Sequence, residues 1–125
     1  MRFLLDTHIF LWFIKGDARF SRAIKLKIQR ASEIYISSAS IWEAAIKIRL
    51  NKLDADLGLI VEAIDKSGFL ELPITAVHAA AILSLPDIHR DPFDRILVAQ
   101  AMTEPLTFLT ADSLLKNYSD HVEVV

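Results

Sequence analysis

The chain contains no cysteine, and only three glycines and four prolines among its 125 residues. Without cysteine, disulfides, thiolate metal sites and cysteine nucleophiles are excluded together, and the fold is indifferent to the redox state of its surroundings. Three glycines are too few and too scattered for a phosphate-cradling loop or a dinucleotide fingerprint, and no nucleophile elbow is present. Gly16, Gly58 and Gly68 are expected at helix ends. Long apolar runs are also missing. Phe3-Leu4-Leu5 is interrupted by Asp6 and His8 before it reaches signal-peptide length. No uncharged stretch approaches the roughly 18 residues of a membrane span. A cytoplasmic protein without membrane attachment is expected.

What the chain does contain is an ordinary globular balance, 53% hydrophobic and 24% charged residues, which predicts a single domain over residues 1–125. The net charge of −2 conceals an asymmetry. Residues 1–52 hold ten Lys/Arg against four acids, and the remainder holds four against twelve. A basic first half reads either as a solvated helix face or as a phosphate-contacting surface.

Five short β-rich runs bounded by polar or turn residues predict strands: Phe3–Leu5, Ile34–Ile36, Phe69–Leu72, Leu106–Leu109 and Val122–Val124. Helical spacing lies between them, as in Phe20, Ala23, Ile24 and Ile28, or Phe93, Ile96, Leu97 and Ala101. Strands alternating with helices imply parallel pairing through right-handed crossovers. The four prolines all fall at proposed boundaries.

Four carboxylates, Asp6, Glu43, Asp94 and Asp112, are placed by this pattern near helix starts along one sheet edge. Each has an ordinary explanation. Asp6 and Asp112 suit N-caps, and Glu43 follows Ser40 at capping-box spacing and can pair with Lys47 one turn on. Asp94 is explained least well that way, because Asp91 already serves as cap and Pro92 as first helical residue. Converging carboxylates cannot all stay ionised unaided, so a raised pKa or a hard cation, Mg2+ or Mn2+, is expected. His8, His78, His89 and His121 lack zinc-site spacing and are expected at the surface or in hydrogen bonds.

At these residues the sequence resembles the PIN-domain ribonucleases, specifically VapC-type toxins of toxin-antitoxin pairs. Four blocks carry the resemblance: Phe3-Leu4-Leu5-Asp6-Thr7-His8 leading to Trp12; Ser37 to Glu43 with Lys47; His89-Arg90-Asp91-Pro92-Phe93-Asp94-Arg95 continuing to Ala101; and Leu109-Thr110-Ala111-Asp112. The resemblance implies a PIN-like three-layer α/β/α sandwich around a central, mostly parallel five-stranded sheet. It implies RNA phosphodiester cleavage with Asp6, Glu43, Asp94 and Asp112 holding Mg2+ or Mn2+, supported by Thr110 and Arg95. It also implies a homodimer, a cognate antitoxin that silences it, and a higher toxin-antitoxin assembly. For such an enzyme, Arg19, Arg22, Lys25, Arg30, Lys47 and Arg49 are the candidates for RNA phosphate contacts. Two alternatives stand beside it: a catalytically silent protein-binding module, and a Mg-dependent phosphoacceptor domain. The latter lacks the acidic pair after the first strand and the late lysine it would need.

Overall fold

The computed structural model describes all 125 residues. The strands are β1 (Arg2–Leu5), β2 (Glu33–Ser37), β3 (Leu70–Leu72), β4 (Thr107–Thr110) and β5 (Val122–Val124). The helices are α1 (Thr7–Lys15), α2 (Arg22–Arg30), α3 (Ser38–Arg49), α4 (Leu57–Lys66), α5 (Ala76–Ala81) and α6 (Pro92–Thr103), with 3-10 segments at Ile82–Ser84 and Ser113–Tyr118. The sheet order is β3-β2-β1-β4-β5, and every pairing is parallel. The sheet expected to be mostly parallel is wholly so.

Side-chain alternation along the central strands divides the core between the two sheet faces. Phe3 and Leu5 join Phe10, Ile24, Ile36, Ile60 and Leu109 on one side. Leu4 joins Leu97, Phe108, Leu115 and Val122 on the other. Burial on both faces accounts for strands that are almost wholly apolar.

From β1 the chain steps outward to β2 and β3, then crosses back to lay β4 on the other side of β1. That reversal opens a crevice beyond the carboxyl ends of β1 and β4, the place where open parallel sheets bind ligands. Asp6 follows β1 directly, and Asp112 lies two residues beyond β4.

Helix ends confirm several local readings. Asp91 caps α6 by accepting the Phe93 N–H at 2.9 Å, Pro92 is the first helical residue, and Asp94 becomes the third. Gly16 closes α1 at φ 65°, a left-handed conformation in which a side chain would be strained. Asp91→Ala should lower stability by about 1 kcal/mol, the ordinary worth of an N-cap, readable as a shift in urea midpoint.

The Ser40–Glu43 capping box does not form. Because β2 continues through Ser37, which pairs with Leu72, the helix begins at once, and Ser37 caps α3 by accepting the Ala39 N–H at 3.0 Å. Glu43 therefore sits in the second turn of α3 rather than at its start. Ser40 is instead drawn into a buried hydroxyl pair, accepting from Thr7 Oγ1 at 2.8 Å. No helix is long and apolar enough to cross a membrane.

Candidate active site

Asp6 stands at the N-cap position of α1, yet its side chain makes no capping bond. Its carboxylate is buried, and Oδ2 accepts the Thr110 hydroxyl at 2.6 Å. Thr110 Oγ1 in turn accepts the Asp112 N–H at 3.1 Å, so one hydroxyl joins the end of β1 to the turn after β4. The other oxygen of Asp6, Oδ1, is buried with no hydrogen-bond partner. Such an orphaned acceptor calls for an explanation, and coordination of a cation is one of the few available.

Asp94 projects from the first turn of α6 into the same crevice. Together with Asp6, His8, Trp12, Ala111 and Asp112 it lines a cavity of about 290 Å³. Burial above all, reinforced by the charges of Asp6, Asp91, Glu43 and Asp112, pushes the Asp94 carboxyl up to about 8. Burial likewise raises Asp6, against the opposing pull of the Thr110 hydrogen bond and His8. Asp112 does cap the turn that follows it, accepting the Leu114 N–H through Oδ1 at 3.0 Å, and its Oδ2 remains directed at the crevice.

Glu43 is buried but does not line the cavity; it acts there through its charge, which raises both Asp6 and Asp94. Lys47 Nζ meets Glu43 Oε2 at 2.8 Å, the one-turn pairing expected from the spacing. The structure thus brings three of the four acids into one cavity, with the fourth alongside it carrying its own cation.

His89, expected only to be a surface or hydrogen-bonded residue, enters this site. Its Nε2 lies 3.4 Å from Asp112 Oδ2 and 3.6 Å from Asp94 Oδ2. The one available signal was its place two residues before the α6 cap, on the loop that delivers Asp94. Arg95 turns away from the acids. Its Nη1 donates to the Pro86 carbonyl at 2.9 Å and to Tyr118 Oη at 3.2 Å.

The basic residues do not form a single track. Arg19 lies 5.0 Å above the Trp12 ring at the cavity rim, with Nε and Nη2 both bonded to Asp17. Lys47 serves Glu43. Arg22 and Lys25 are exposed on α2, and Arg49 is exposed at the end of α3. Arg30 borders a groove with Met1 and Lys27, at the opposite end of the sheet from Asp6. α2 must deliver the chain to the start of β2, and this carries Arg30 away from the acids.

As a donor set the cluster is rich in carboxylate oxygen, with a buried unpartnered acceptor and a carboxyl that resists ionisation unaided. These residues fit a hard divalent cation. His89, Asp94 and Asp112 also place ligand-type atoms within 4.8 Å of one another. Thr110→Val, which removes the hydroxyl holding Asp6 while keeping side-chain volume, should weaken divalent-cation affinity roughly 10-fold to 100-fold in a calorimetric titration.

The family model for the PIN domain matches residues 3–120. Among solved structures, the chain is similar to one described as the crystal structure of VapBC2 from Rickettsia felis bound to a DNA fragment from their promoter. That match has a TM-score of 0.72 and 16% identity, covering 100% of this chain and 98% of the other. At that identity the likeness speaks for the fold. A comparison with curated protein sequences finds no match.

Proposed function

The chain belongs to the PIN domain family, and on that premise we propose that it is a metal-dependent endoribonuclease, the VapC-type toxin of a toxin-antitoxin pair. The observation that carries this reading is the convergence of Asp6, Asp94 and Asp112 in one cavity at the β1–β4 switch point, where burial and the neighbouring carboxylates push Asp94 up to about 8. Mg2+ or Mn2+ is the proposed cofactor, and a bound ion of that kind would supply charge neutralisation to a phosphodiester and activation to water.

The chain's own residues supply the rest. Asp6, Asp94 and Asp112 hold the cation, with Glu43 adjacent; burial and the Thr110 hydroxyl keep Asp6 in one orientation. Lys47 neutralises Glu43, which limits the repulsion an incoming phosphate meets. Arg19 at the Trp12 rim, with Arg22 and Lys25 beyond it, faces flanking phosphates. Water adds to phosphorus in line with the P–O3′ bond and gives up a proton to a carboxylate of the cluster. The bond to the 3′ oxygen breaks, that oxygen gains a proton, and the 5′ phosphate remains on the other fragment.

The proposed setting is the cytoplasm, with the domain of residues 1–125 acting as a homodimer and silenced by a cognate antitoxin. Its fold likeness to a chain of the R. felis VapBC2 structure supports this partnership. Mapping RNA ends across total RNA after expression of the chain, against an Asp94→Asn control, tests the reading. New 5′-phosphate ends at defined sites in the wild type alone are expected; identical maps would contradict it.

A further inference from the structure

His89 faces the acids, yet the proposed reaction assigns it nothing. Its separations from Asp112 and Asp94, 3.4 and 3.6 Å, would suit a third ligand on a shared ion. The other ring nitrogen argues against that role. Nδ1 accepts the backbone N–H of Asp91 at 3.1 Å, so it presents a lone pair and carries no proton. In the neutral ring the proton must then sit on Nε2, the nitrogen turned toward the two carboxylates. An Nε2–H has no lone pair to offer a cation; it is a donor facing two acceptors.

The loop presenting this ring is anchored from both sides. Arg95 Nη1 donates to the carbonyls of Pro86, at 2.9 Å, and His89, at 3.5 Å, and to Tyr118 Oη at 3.2 Å. Tyr118 Oη accepts the His89 N–H at 2.7 Å and donates to the His89 carbonyl at 3.2 Å. With two bonds accepted and one donated, the phenol is fully used. Arg95 sits next to Asp94 on α6, and Tyr118 ends the 3-10 segment that follows Asp112. The clamp therefore joins the two elements that carry these acids to the loop between them.

We propose that His89 is a positioning residue: Arg95 and Tyr118 hold its backbone so that Nε2–H faces Asp94 and Asp112 together and keeps both carboxylates in register for the ion they share, without ligating it. This rests on the reading of the acids as a cation site. It reassigns Arg95 from the acidic network itself to the support of the loop beside it.

The protonated nitrogen is observable without any activity. In 15N-labelled protein, long-range proton–nitrogen correlation distinguishes the ring nitrogens of the four histidines, and His89→Gln identifies the signal. The proton should sit on Nε2 in the metal-free protein and remain there at saturating Mg2+. A proton on Nδ1, or loss of the Nε2 proton when Mg2+ is added, would overturn the assignment and make His89 a ligand.

Calorimetry with Mg2+ supplies the second readout. Arg95→Met, Tyr118→Phe and His89→Ala should each weaken Mg2+ binding roughly 10-fold, with His89→Gln, which retains an N–H donor of similar reach, closer to wild type. Unchanged affinity in Arg95→Met and His89→Ala would overturn the positioning role. A chain that behaves as expected in both measurements yet cleaves no RNA would sink the proposed reaction and leave the His89 assignment standing.

Discussion

Asp94→Asn is expected to abolish RNA cleavage, by on the order of 10³-fold or more, and to stabilise the metal-free protein in the same stroke. A factor of 10³ corresponds to about 4 kcal/mol of transition-state stabilisation, within what a lost cation site accounts for. The opposite effect on stability follows from the direction of the pKa shift. The folded chain holds the Asp94 proton up to about pH 8, whereas the unfolded chain releases it near 3.8. In that window the unfolded state binds fewer protons than the folded state, so stability falls as pH rises. Asp94 therefore does not disfavour folding in acid and destabilises the metal-free fold increasingly up to about pH 8. Asparagine keeps the shape and removes the titration. Thermal melts in EDTA should show the variant matching wild type in acid and exceeding it by several degrees above pH 8. Because the cation must displace that proton, wild-type Mg2+ affinity should also climb with pH and level off near 8.

Phe108→Ala should have the largest effect on the fold, about 3 to 5 kcal/mol, against a total stability of roughly 5 to 15 kcal/mol for a domain of this kind. Phe108 is fully buried in β4, paired with Leu4 of β1 and Val122 of β5. The same strand ends in Thr110, whose hydroxyl holds Asp6, and leads on to Asp112. A cavity at Phe108 consequently lies beneath the scaffold that joins two of the acids. Urea unfolding should show a much lower midpoint with an unchanged slope. Leu59→Ala, at an exposed position of α4, is the control and should move stability by less than about 0.5 kcal/mol.

The layout of the sheet was legible in the sequence because short apolar β-rich runs alternate with helical spacing, a combination few architectures satisfy. Asp94 was legible for a local reason: Asp91 and Pro92 already account for the helix start, leaving Asp94 without a capping role. Glu43 was misplaced because Ser37, Ser38 and Ser40 all suit a cap, and the choice among them depends on how far β2 pairs with β3, a long-range fact. His89 and the orientation of Arg95 could not be read, since both depend on Tyr118, more than 20 residues away. How the basic residues are distributed around the acids was not legible, for a topological reason. Charges spaced along one segment share a surface only if that segment stays at one end of the sheet, and α2 does not.

The most direct test of the central claim is cleavage of an end-labelled RNA by purified protein, run in Mn2+ and in EDTA, with wild type and Asp94→Asn side by side. Fragments bearing 5′ phosphates are expected from wild type in Mn2+ alone, with none from either protein in EDTA and none from the variant. Cleavage that persists in EDTA, or that the variant carries out at the wild-type rate, would contradict it.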